Sequence, residues 1–450
     1  MQGFASPSPN PVQHRFSKAQ LTQVREEVLS LQHPNAPVVD IQILIDQNYD
    51  LYGYRGVAER VPGEPHLVIP YAPLGGTRNI SYPNLTDNAV DAVGLCRGML
   101  QKVISAGIQL SGAKTALNHP GNLERKQRRE YFEAYGRLHA ELNVERIRSG
   151  LMPTVTAEDS GVGLEDLKHV VRGASKVDLK KVLKSVESIM HPAIVTATRR
   201  LLEACPQCIT GIEGKSGDPS PFTAFGVFEG GRLLLKLHMD KDLKGSRVVI
   251  KGIAGNVGHN LAVHFAKAGA EVFGSDIIFG LSSSELDERK SARRDQVLKI
   301  MENYKINLIE DPAKSHEVDG LDIYAPCALS GDINGEVAIA LPDGCVVAGA
   351  ANIPIQNESD KIEAELGRRS IYYAPHFLIN SGGVINVFQE LVPEPYNAKA
   401  SLRLVRQRVI DGLLANYREW HESGRAKLPT DIATEQAVAE MKKVAIPLKG

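Results

Sequence analysis

The chain has 450 residues, which is long enough for two or three domains and a sizeable hydrophobic core. Its 52 Lys and Arg residues are balanced by 53 Asp and Glu residues, so the sequence predicts no global field that attracts nucleic acid or a membrane surface. No apolar run approaches the roughly 18 residues of a transmembrane helix, and the first residues lack the order of a signal peptide, so we expect a cytoplasmic protein.

The first 36 residues form an N-terminal extension with two parts. A Pro- and Ser-rich tail is typical of disorder, and an amphipathic helix follows it with Leu21, Val24, Val28 and Leu31 on one face. Three β-rich runs separated by turn signals then predict that the first sheet begins as a meander, and a glycine-interrupted strand end follows them. These runs cover residues 38–46, 51–61 and 66–72, and the strand end covers 72–83.

Helical and extended patterns alternate in the next part of the chain. They predict a helix at Asp87–Ser105, a strand at 108–117, a charged amphipathic helix at 123–149, and a short β-rich run that leads into a helix at 152–170. The charges at 123–149 favour a solvated helix face over a nucleic-acid patch. Residues 174–207 carry two helical patterns that are broken at His191-Pro192.

Residues 248–277 carry the pattern around which the chain is organised, a strand, a glycine-rich turn, a helix and a second strand. Such a βαβ unit is typical of a dinucleotide site. Gly252 permits the tight turn, Gly255 lets the backbone approach a pyrophosphate, and Gly258 lets the helix pack against the sheet. The residues expected to bind the cofactor in this turn are Gly252, Gly255, Asn256, Val257 and Gly258.

Asp276 indicates which dinucleotide is bound. It lies about 20 residues into the unit, at the end of the second strand, where a carboxylate accepts hydrogen bonds from a ribose and repels a 2′-phosphate. The sequence therefore favours NAD over NADP. The spacing G-x-x-G-x-x-G is one residue longer than the common fingerprint, so an ordinary turn in a parallel sheet is the alternative.

Short strands continue to alternate with helices after this unit, which is typical of a doubly wound α/β fold. The patterns predict strands at 321–329, 345–352 and 370–380, a helix at 360–369, and a helical tail from Lys399 to Val444 that breaks at 427–429. Few cysteines are present and their number is odd, so we expect reduced thiols. Cys205 and Cys208 form a lone C-x-x-C without a second pair, so no metal site is predicted.

Two lysines lie in apolar, glycine-rich segments. Lys102 alone is interpreted most simply as a solvated residue on a helix. Lys114 is flanked by small residues on a β-rich segment, where burial would lower the pKa of its ammonium towards a value useful for a base. Asp159 fits a helix N-cap and a catalytic acid equally well, and the residues themselves leave both interpretations open.

Eight short motifs resemble the amino acid dehydrogenase family of glutamate, leucine, phenylalanine and valine dehydrogenases, and most of all its leucine dehydrogenase branch. They follow one another along the chain in the order that the family has. They span about residues 70–390. The motifs are PLGGTR (Pro73–Arg78), GMLQKVISAGIQLSGAKTAL (Gly98–Leu117), TAEDSG (Thr156–Gly161), SGDPSPFTAFGV (Ser216–Val227), the Val248–Asp276 unit, APCALSG (Ala325–Gly331), AGAAN (Ala348–Asn352) and NSGGVINV (Asn380–Val387).

The resemblance implies an α/β protein of two domains: an N-terminal α/β substrate domain, and a Rossmann-type, doubly wound NAD domain whose C-terminal helices return to the first domain. The expected boundaries are 1–36 for the extension, 37–213 for the substrate domain with an insertion at 174–210, 214–422 for the NAD domain, and 423–450 for the C-terminal helical segment. The implied reaction is reversible oxidative deamination of an L-2-amino acid to a 2-oxo acid and ammonium, with NAD as cofactor. A homo-oligomer is expected.

Residue roles follow from the resemblance, position by position. Lys102 would bind the substrate carboxylate, Lys114 would be the base that activates water, and Asp159 would relay protons to and from the amino group. The resemblance further implies that Gly75 and Gly76 shape the carboxylate site, and that Asn352 contacts the substrate or the nicotinamide ribose. It also implies contacts to the nicotinamide half of the cofactor for Thr223, Ala328 and Asn380.

Leu74 bears on the choice of substrate, because glutamate-using relatives have a lysine immediately before the Gly-Gly pair. A glutamate side chain would be buried here without a partner, so glutamate is predicted not to be the substrate. An apolar pocket is expected from Leu74, Ala157, Val384 and Val387. A methylene is worth only about 1–3 kcal/mol in such a pocket, so the sequence does not choose between leucine, valine and larger apolar side chains.

Two other functions are compatible with the sequence. The insertion at 174–210 would be compatible with a bulky aromatic or functionalised amino acid as substrate. The longer glycine turn would be compatible with a NAD-binding regulatory protein without turnover. The polar groups at Lys102, Lys114, Asp159 and Asn352 argue against that second possibility, since a decayed site has no reason to keep them.

Overall fold

A computed structural model describes residues 16–32, 37–119, 121, 123–212, 215–328, 330–356 and 358–447. The Pro- and Ser-rich tail that the sequence predicts to be disordered lies outside these residues up to position 15. Among the helices that are described, none combines the length and the apolar character that crossing a bilayer requires.

The first domain is organised around a mixed sheet. The strands of this half are β1 (Asp40–Asp46), β2 (Leu51–Ala58), β3 (Arg60–Val61), β4 (Glu64–Val68), β5 (Ala72–Ile80), β6 (Leu110–Asn118) and β7 (Val155–Ala157). The sheet has the order β1-β2-β6-β5-β7. Its β1-β2 and β2-β6 pairs are antiparallel, whereas β5 runs parallel to both β6 and β7.

The predicted meander is correct for its first two strands and wrong for the third. β4 leaves the sheet and pairs with β3, and β6 lies beside β2 instead. The physical reason is burial. Eight of the nine residues of β6 are buried, which requires a central position, whereas β4 is exposed at two of its five residues and half-buried at two more.

Helices cover the first sheet. They are α1 (Lys18–Ser30), α2 (Leu85–Ser105), α3 (Arg125–Arg148), α4 (Leu164–Ala174), α5 (Leu179–Val186) and α6 (Pro192–Ala204). α2 begins at Asn84, whose side chain accepts a hydrogen bond from Asp87 N at 2.8 Å, and it packs on β6 and β2. Its buried Leu100 and Val103 each contribute about 1.5–3 kcal/mol to stability.

α3 and the two helices of the insertion at 174–210 are packed against the rest of the first domain. The face of α3 is less solvated than its charges predict, because the guanidinium of Arg146 is buried in an ion pair of 2.6 Å with Glu59. The insertion at 174–210 forms α5 and α6, which pack on α3, on each other and on β5. Buried Leu179, Leu183 and Leu202 fix these two helices to the first domain.

The second domain contains a parallel sheet. Its elements are α7 (Ser220–Met239), β8 (Arg247–Lys251), α8 (Asn256–Lys267), β9 (Glu271–Ser275), α9 (Glu288–Tyr304), β10 (Asn307–Leu308), β11 (Ile323–Pro326), α10 (Gly335–Ala340), β12 (Val346–Val347), α11 (Ser359–Arg368) and β13 (Tyr372–Tyr373). The order is β10-β9-β8-β11-β12-β13, with every neighbouring pair parallel. The order reverses between β8 and β11, and ligands of such sheets bind at the carboxyl ends of the strands beside this switch point.

The end of the chain returns to the first domain, as the resemblance implies. Its elements are α12 (His376–Ile379), α13 (Gly382–Phe388), α14 (Ala398–Glu422), α15 (Pro429–Val444) and β14 (Ile446–Pro447). α14 packs on α7, α15 packs on α2, and β14 pairs antiparallel with β4. The predicted strand at 370–380 is wrong beyond Tyr373, because α12 begins directly after Pro375.

Short 3₁₀ segments occupy Gln47–Tyr49, Ile277–Gly280 and Pro312–Glu317.

The connection of the chain between the two domains is fixed by Glu390, whose carboxylate is buried at the end of α13. It accepts hydrogen bonds from Thr210 Oγ1 at 2.9 Å and from Ser216 N at 2.8 Å. A charge buried in this way is stabilised by several donors at the point where the chain leaves the first domain.

Candidate active site

The side chains of Lys114 and Asp159 are in contact, although β5 lies between β6, which carries Lys114, and β7, which ends two residues before Asp159. The Gly75-Gly76 pair of β5 makes this approach possible. A Cβ on Gly75 would lie 1.6 Å from the Ala113 carbonyl oxygen. A Cβ on Gly76 would lie 3.0 Å from Asp159 Cβ. Any side chain at these two positions would therefore push the neighbouring strands and Asp159 away.

Lys114 has an unusual electrostatic environment, because its side chain is only 9% exposed. Burial, together with the cations Arg78 and Lys102, lowers the pKa of the Lys114 ammonium to about 7. The Asp91 carboxylate opposes this shift, since a neighbouring anion favours the charged ammonium. Lys114 can therefore exchange a proton near neutral pH.

Asp159 does not cap α4, so that interpretation of the sequence is wrong. The N-cap of α4 is Gly163, whose N–H donates to Asp166 Oδ2 at 2.9 Å. Asp159 Oδ1 accepts a hydrogen bond from Ser160 N at 2.6 Å, and Asp159 Oδ2 faces Lys114. The carboxylate is thus held by its own loop while it contacts the lysine.

Lys102 connects the two domains. Its Nζ donates to Asn352 Oδ1 at 3.2 Å, and Asn380 Nδ2 donates to the same oxygen at 3.1 Å. Burial lowers the pKa of Lys102 to about 8. Lys102 is therefore a half-buried cation with a partner in the second domain, rather than a freely solvated residue.

Both lysines line one cavity between the domains, which we call the lysine cavity. Its volume is about 40 Å³, which is close to the share of one water molecule in the liquid. The lysine cavity is lined by Gly94, Leu95, Gly98, Met99, Lys102, Lys114, Asn352, Ile353 and His376.

The apolar residues predicted to form the substrate pocket do not belong to this lining. Leu74 and Val387 are buried in the core, and Ala157 and Val384 are half-buried. Apart from Gly94 and Gly98, the lining contains four residues that sequence reasoning missed: Leu95, Met99, Ile353 and His376. The first two precede Lys102 on α2 by seven and three residues, a helical spacing that could have revealed them, whereas no local signal marks the other two.

Ile353 adopts an unusual backbone conformation at the wall of the lysine cavity. Its φ is 50°, in the left-handed region that β-branched residues rarely occupy. It follows Asn352 directly, and its carbonyl oxygen accepts a hydrogen bond from Gly331 N at 3.0 Å. Backbone strain of this kind is concentrated at functional sites.

The glycine turn, residues 252–258, connects β8 to α8 beside the switch point. Gly252 has a φ of 92°, and a Cβ there would lie 2.7 Å from Ala328 N. A Cβ on Gly258 would lie 2.2 Å from Gly252 O, whereas the nearest atom to a Cβ on Gly255 would be 3.2 Å away. The first and third glycines are therefore required by close packing, and a Cβ on the second would make a tight contact without a severe overlap.

The glycine turn fits a dinucleotide pyrophosphate. The first N–H groups of α8, from Asn256, Val257 and Gly258, have no acceptor within the helix and lie at its positive end. The lack of side chains at Gly252 and Gly255 keeps the approach to these donors open. Anion binding by backbone N–H groups at a helix N-terminus is the chemistry that this arrangement supplies.

The residues expected at the nicotinamide half lie at two places in the second domain. Ala328 follows β11 and touches the glycine turn. Thr223 lies on α7, and a Cβ on Gly383 would lie 2.6 Å from its Oγ1. Asn380 lies three residues before Gly383 and donates to Ala350 O at 3.1 Å. Two of the expected residues therefore lie beside the start of α13, and the third lies at the glycine turn.

The end of β9 carries Asp276 and a neighbouring cation. Asp276 Oδ2 accepts a hydrogen bond from Ala254 N at 3.0 Å, so the carboxylate lies against the glycine turn. Arg293 on α9, which sequence reasoning missed, donates to Ala254 O at 2.6 Å and to Asn256 Oδ1 at 3.2 Å. One anion and one cation therefore lie against the turn.

The thiols have no ligand arrangement around them. Within the described ranges, no cluster of three or more His, Cys, Asp or Glu residues is arranged to hold a metal ion. Cys205 and Cys208 are both buried, and Cys205 Sγ donates to Ile209 O at 3.1 Å. Burial raises the pKa of the Cys205 thiol to about 11, which keeps it protonated and unreactive.

A doubly wound sheet with a glycine turn at its switch point, facing a second domain with a buried lysine in contact with an aspartate, defines a two-domain nicotinamide-dependent dehydrogenase. The model of the Glutamate/Leucine/Phenylalanine/Valine dehydrogenase family matches residues 214–448. The chain belongs to this family, and it is an amino acid dehydrogenase.

Relatives of assigned activity cover most of the chain. The leucine dehydrogenase of Bacillus subtilis (strain 168) is 32% identical over 374 residues, which cover 82% of this chain and 83% of that enzyme. The valine dehydrogenase of Streptomyces albus is 31% identical over 373 residues, which cover 82% of this chain and 85% of that enzyme. The resemblance that the motifs predicted is therefore confirmed.

Solved structures share the fold at lower identity. The L-tryptophan dehydrogenase from Nostoc punctiforme has a TM-score of 0.62 and 23% identity, and the match covers 90% of this chain and 96% of that one. A hetero-hexameric glutamate dehydrogenase from Thermus thermophilus has a TM-score of 0.62 and 18% identity, with 95% of each chain covered. These matches confirm the predicted α/β fold with two domains.

Proposed function

We propose that this chain catalyses the reversible, NAD-dependent oxidative deamination of an apolar L-2-amino acid. The observation that carries the proposal is the lysine cavity, where Lys102 and Lys114 meet between the two domains and Lys114 contacts Asp159. A cation for a carboxylate, and a base with a pKa near neutrality, are the groups that this reaction needs.

In this mechanism, the Lys102 ammonium binds the α-carboxylate and orients the Cα hydrogen. The nicotinamide ring, when bound, supplies the acceptor for the hydride that leaves Cα. Uncharged Lys114 then takes a proton from the water that attacks the imino carbon, and Asp159 moves protons to and from the departing amino group. The contact between Lys114 and Asp159 gives these protons a direct path.

The small size of the lysine cavity supports a closing step. A space of about 40 Å³ leaves little room for water beside the lysines when the domains are together. We propose that the domains open for substrate and close for hydride transfer. The boundaries expected from the resemblance, 37–213, 214–422 and 423–450, are part of this proposal.

The preference for NAD is supported by Asp276, whose carboxylate lies against the glycine turn and would repel a 2′-phosphate. Arg293 is the residue that would favour NADP, but its guanidinium already donates to Ala254 O and Asn256 Oδ1. We expect kcat/KM to be at least about tenfold higher with NAD than with NADP. Equal kcat/KM values with NAD and NADP would contradict the preference for NAD and would indicate that Arg293 favours NADP.

An apolar substrate is supported by Leu95, Met99 and Ile353 in the lysine cavity and by Leu74 before the glycine pair. The similar leucine and valine dehydrogenases support it as well. The test is NADH formation, followed by absorbance, with a panel of L-2-amino acids that includes glutamate. The proposal fails when no apolar amino acid yields NADH.

A bulky aromatic substrate is the second candidate, and one observation favours it. Gly94 and Gly98 line the lysine cavity, and a Cβ on either would meet no atom within 4 Å, so this wall has unfilled space. A kcat/KM for phenylalanine or tryptophan at least tenfold above those for leucine and valine would favour this candidate. In that case, Gly98→Val would lower the aromatic value more than the aliphatic ones.

We also propose a homo-oligomer, because a structural relative is described as hetero-hexameric. Light scattering on the purified protein at micromolar concentration tests this point. A mass equal to that of one 49.0 kDa chain would contradict it.

A further inference from the structure

His376 is a polar residue in the lysine cavity that the mechanism above does not use. It is the first residue of α12 in the second domain, and it lines the cavity together with Lys102 and Asn352. Its Nδ1 is buried, and no described residue forms a hydrogen bond with it. Buried polar atoms are nearly always paired, so an unpaired one beside an empty cavity indicates a partner that is absent from the chain itself.

The charge state of His376 limits what that partner can be. Burial, together with the Lys102 ammonium, lowers the pKa of the imidazole to about 3. The ring is therefore neutral at physiological pH, with one nitrogen that donates and one that accepts a hydrogen bond. Because Lys102 is the charge that acts on the ring, His376 belongs to the Lys102 end of the cavity.

The residue that follows α12 also lies at the Lys102 end of the cavity. Asn380 lies four residues after His376, so the two side chains share a helix face. Asn380 Nδ2 donates to Asn352 Oδ1, the oxygen that also accepts from Lys102 Nζ. Asn380 Oδ1 is buried without a partner, as is His376 Nδ1. A face with two unpaired polar atoms therefore adjoins the Lys102–Asn352 hydrogen bond.

We propose that His376 is a further substrate-binding residue, and that its imidazole donates a hydrogen bond to the α-carboxylate of the amino acid bound by Lys102. The inference rests on the proposed function for the identity of the substrate. A neutral N–H donor adds a second hydrogen bond to the carboxylate without adding a second positive charge beside Lys114. His376 would thus strengthen substrate binding while the base remains easy to deprotonate.

The test is His376→Phe, which keeps a ring of similar size and removes both nitrogens. We expect the KM for the best amino acid to rise at least tenfold, with kcat within threefold and the KM for NAD unchanged. Two substrate analogues that are not turned over report separately on binding of the carboxylate and binding of the amino group. For a leucine-like substrate they are 4-methylpentanoate, which lacks the amino group, and 3-methylbutylamine, which lacks the carboxylate.

Calorimetry with these two ligands gives the decisive readout. In His376→Phe, the Kd of 4-methylpentanoate is expected to rise at least tenfold and that of the amine to stay within twofold. His376→Gln, which keeps an N–H donor, should bring the Kd of the acid back to within threefold of the original. The matched control is His169→Phe on α4, because His169 Nδ1 is also buried and unpaired but lies outside the lysine cavity.

Carboxylate binding that is unchanged in His376→Phe would overturn the inference, as would equal weakening of the acid and the amine. Should the Phe variant not fold, His376→Ala and His376→Gln decide the question by the same comparison. The proposed function fails separately, when the unmodified protein turns over no amino acid. Calorimetry still tests His376 in that case, since it needs no turnover.

Discussion

The glycine turn and the lysine cavity are built in opposite ways. The glycine turn is a continuous segment, residues 252–258, whose donors are backbone N–H groups at the start of one helix. The lysine cavity collects side chains from both domains, and its Lys102–Asn352 hydrogen bond joins residues 250 positions apart. A binding site of backbone dipoles can be encoded in a short local motif, whereas a site of charged side chains depends on what the fold brings beside them.

The two sites also differ in what controls their chemistry. Backbone N–H groups do not titrate, so the glycine turn should bind its anion with little dependence on pH. The lysine cavity depends on two ammonium groups whose pKa values are lowered to about 7 and about 8 by burial. Substitutions at the two sites should therefore affect different kinetic parameters, and pH should act on one site alone.

The largest expected effect is at Lys114. Lys114→Ala should lower kcat by at least ~100-fold, because the base that activates water is lost, while the Kd of NAD stays within twofold. Stopped-flow and steady-state kinetics measure the first quantity, and calorimetry measures the second. The control is Lys180→Ala on the exposed face of α5, which should leave both quantities unchanged. A kcat near that of the original protein would remove Lys114 from the mechanism.

The next effect is at the glycine turn. Gly258→Ala should raise the KM for NAD at least about tenfold, because its Cβ would lie 2.2 Å from Gly252 O and displace α8 from the strand. Gly335→Ala at the start of α10 is the matched control, because a Cβ there would meet no atom within 4 Å, and it should cost threefold or less. Equal losses in the two variants would mean that the turn does not bind the pyrophosphate in this conformation.

A moderate effect is expected from pH. kcat/KM should rise as the pH passes about 7, because Lys114 must be uncharged to accept a proton. It should fall again above about 8, because Lys102 must be charged to bind a carboxylate. The profile of kcat/KM against pH reports these groups in the free enzyme.

Lys102→Arg sharpens this prediction. A guanidinium stays charged above pH 8, so the decrease at high pH should disappear while the rise near pH 7 remains. A profile in which the high-pH decrease is unchanged in Lys102→Arg would assign that decrease to another group.

The smallest effect is expected at the C-x-x-C pair. Cys205→Ser keeps a donor for the hydrogen bond to Ile209 O and should change kcat and both KM values by less than twofold. Assays with and without a chelator complete the test. A large loss of activity in Cys205→Ser would indicate that the C-x-x-C pair has a function of its own, outside the lysine cavity and the glycine turn.

Local patterns predicted the elements that carry both sites. They placed α2, β6 and the βαβ unit around the glycine turn close to the bounds that these elements have in the structure. These are long or strongly patterned segments, in which periodicity and glycine spacing dominate. The strand predicted at 370–380 was wrong beyond Tyr373, because apolar residues in short runs fit a strand and a buried helix equally well, and only Pro375 separates them.

Contacts between distant segments were beyond the reach of such patterns. Leu74, Ala157, Val384 and Val387 were expected around the substrate, and this stays a prediction. The lysine cavity itself has other residues in its lining, among them Leu95, Met99, Ile353 and His376. Nothing local marks Ile353 or His376 as neighbours of Lys102, since they come from loops and helix ends of the other domain. Arg293 beside the glycine turn was missed for the same reason.

The sequence by itself determined the family, the doubly wound fold, the glycine turn and the identity of the lysines, because each is written in residues that are near one another along the chain. Only the tertiary structure decided that Asp159 contacts Lys114 rather than capping α4, and that His376 lies in the lysine cavity. The reason is that a pKa or an unpaired hydrogen-bonding atom depends on burial and on neighbours in space, which strand order and domain packing set.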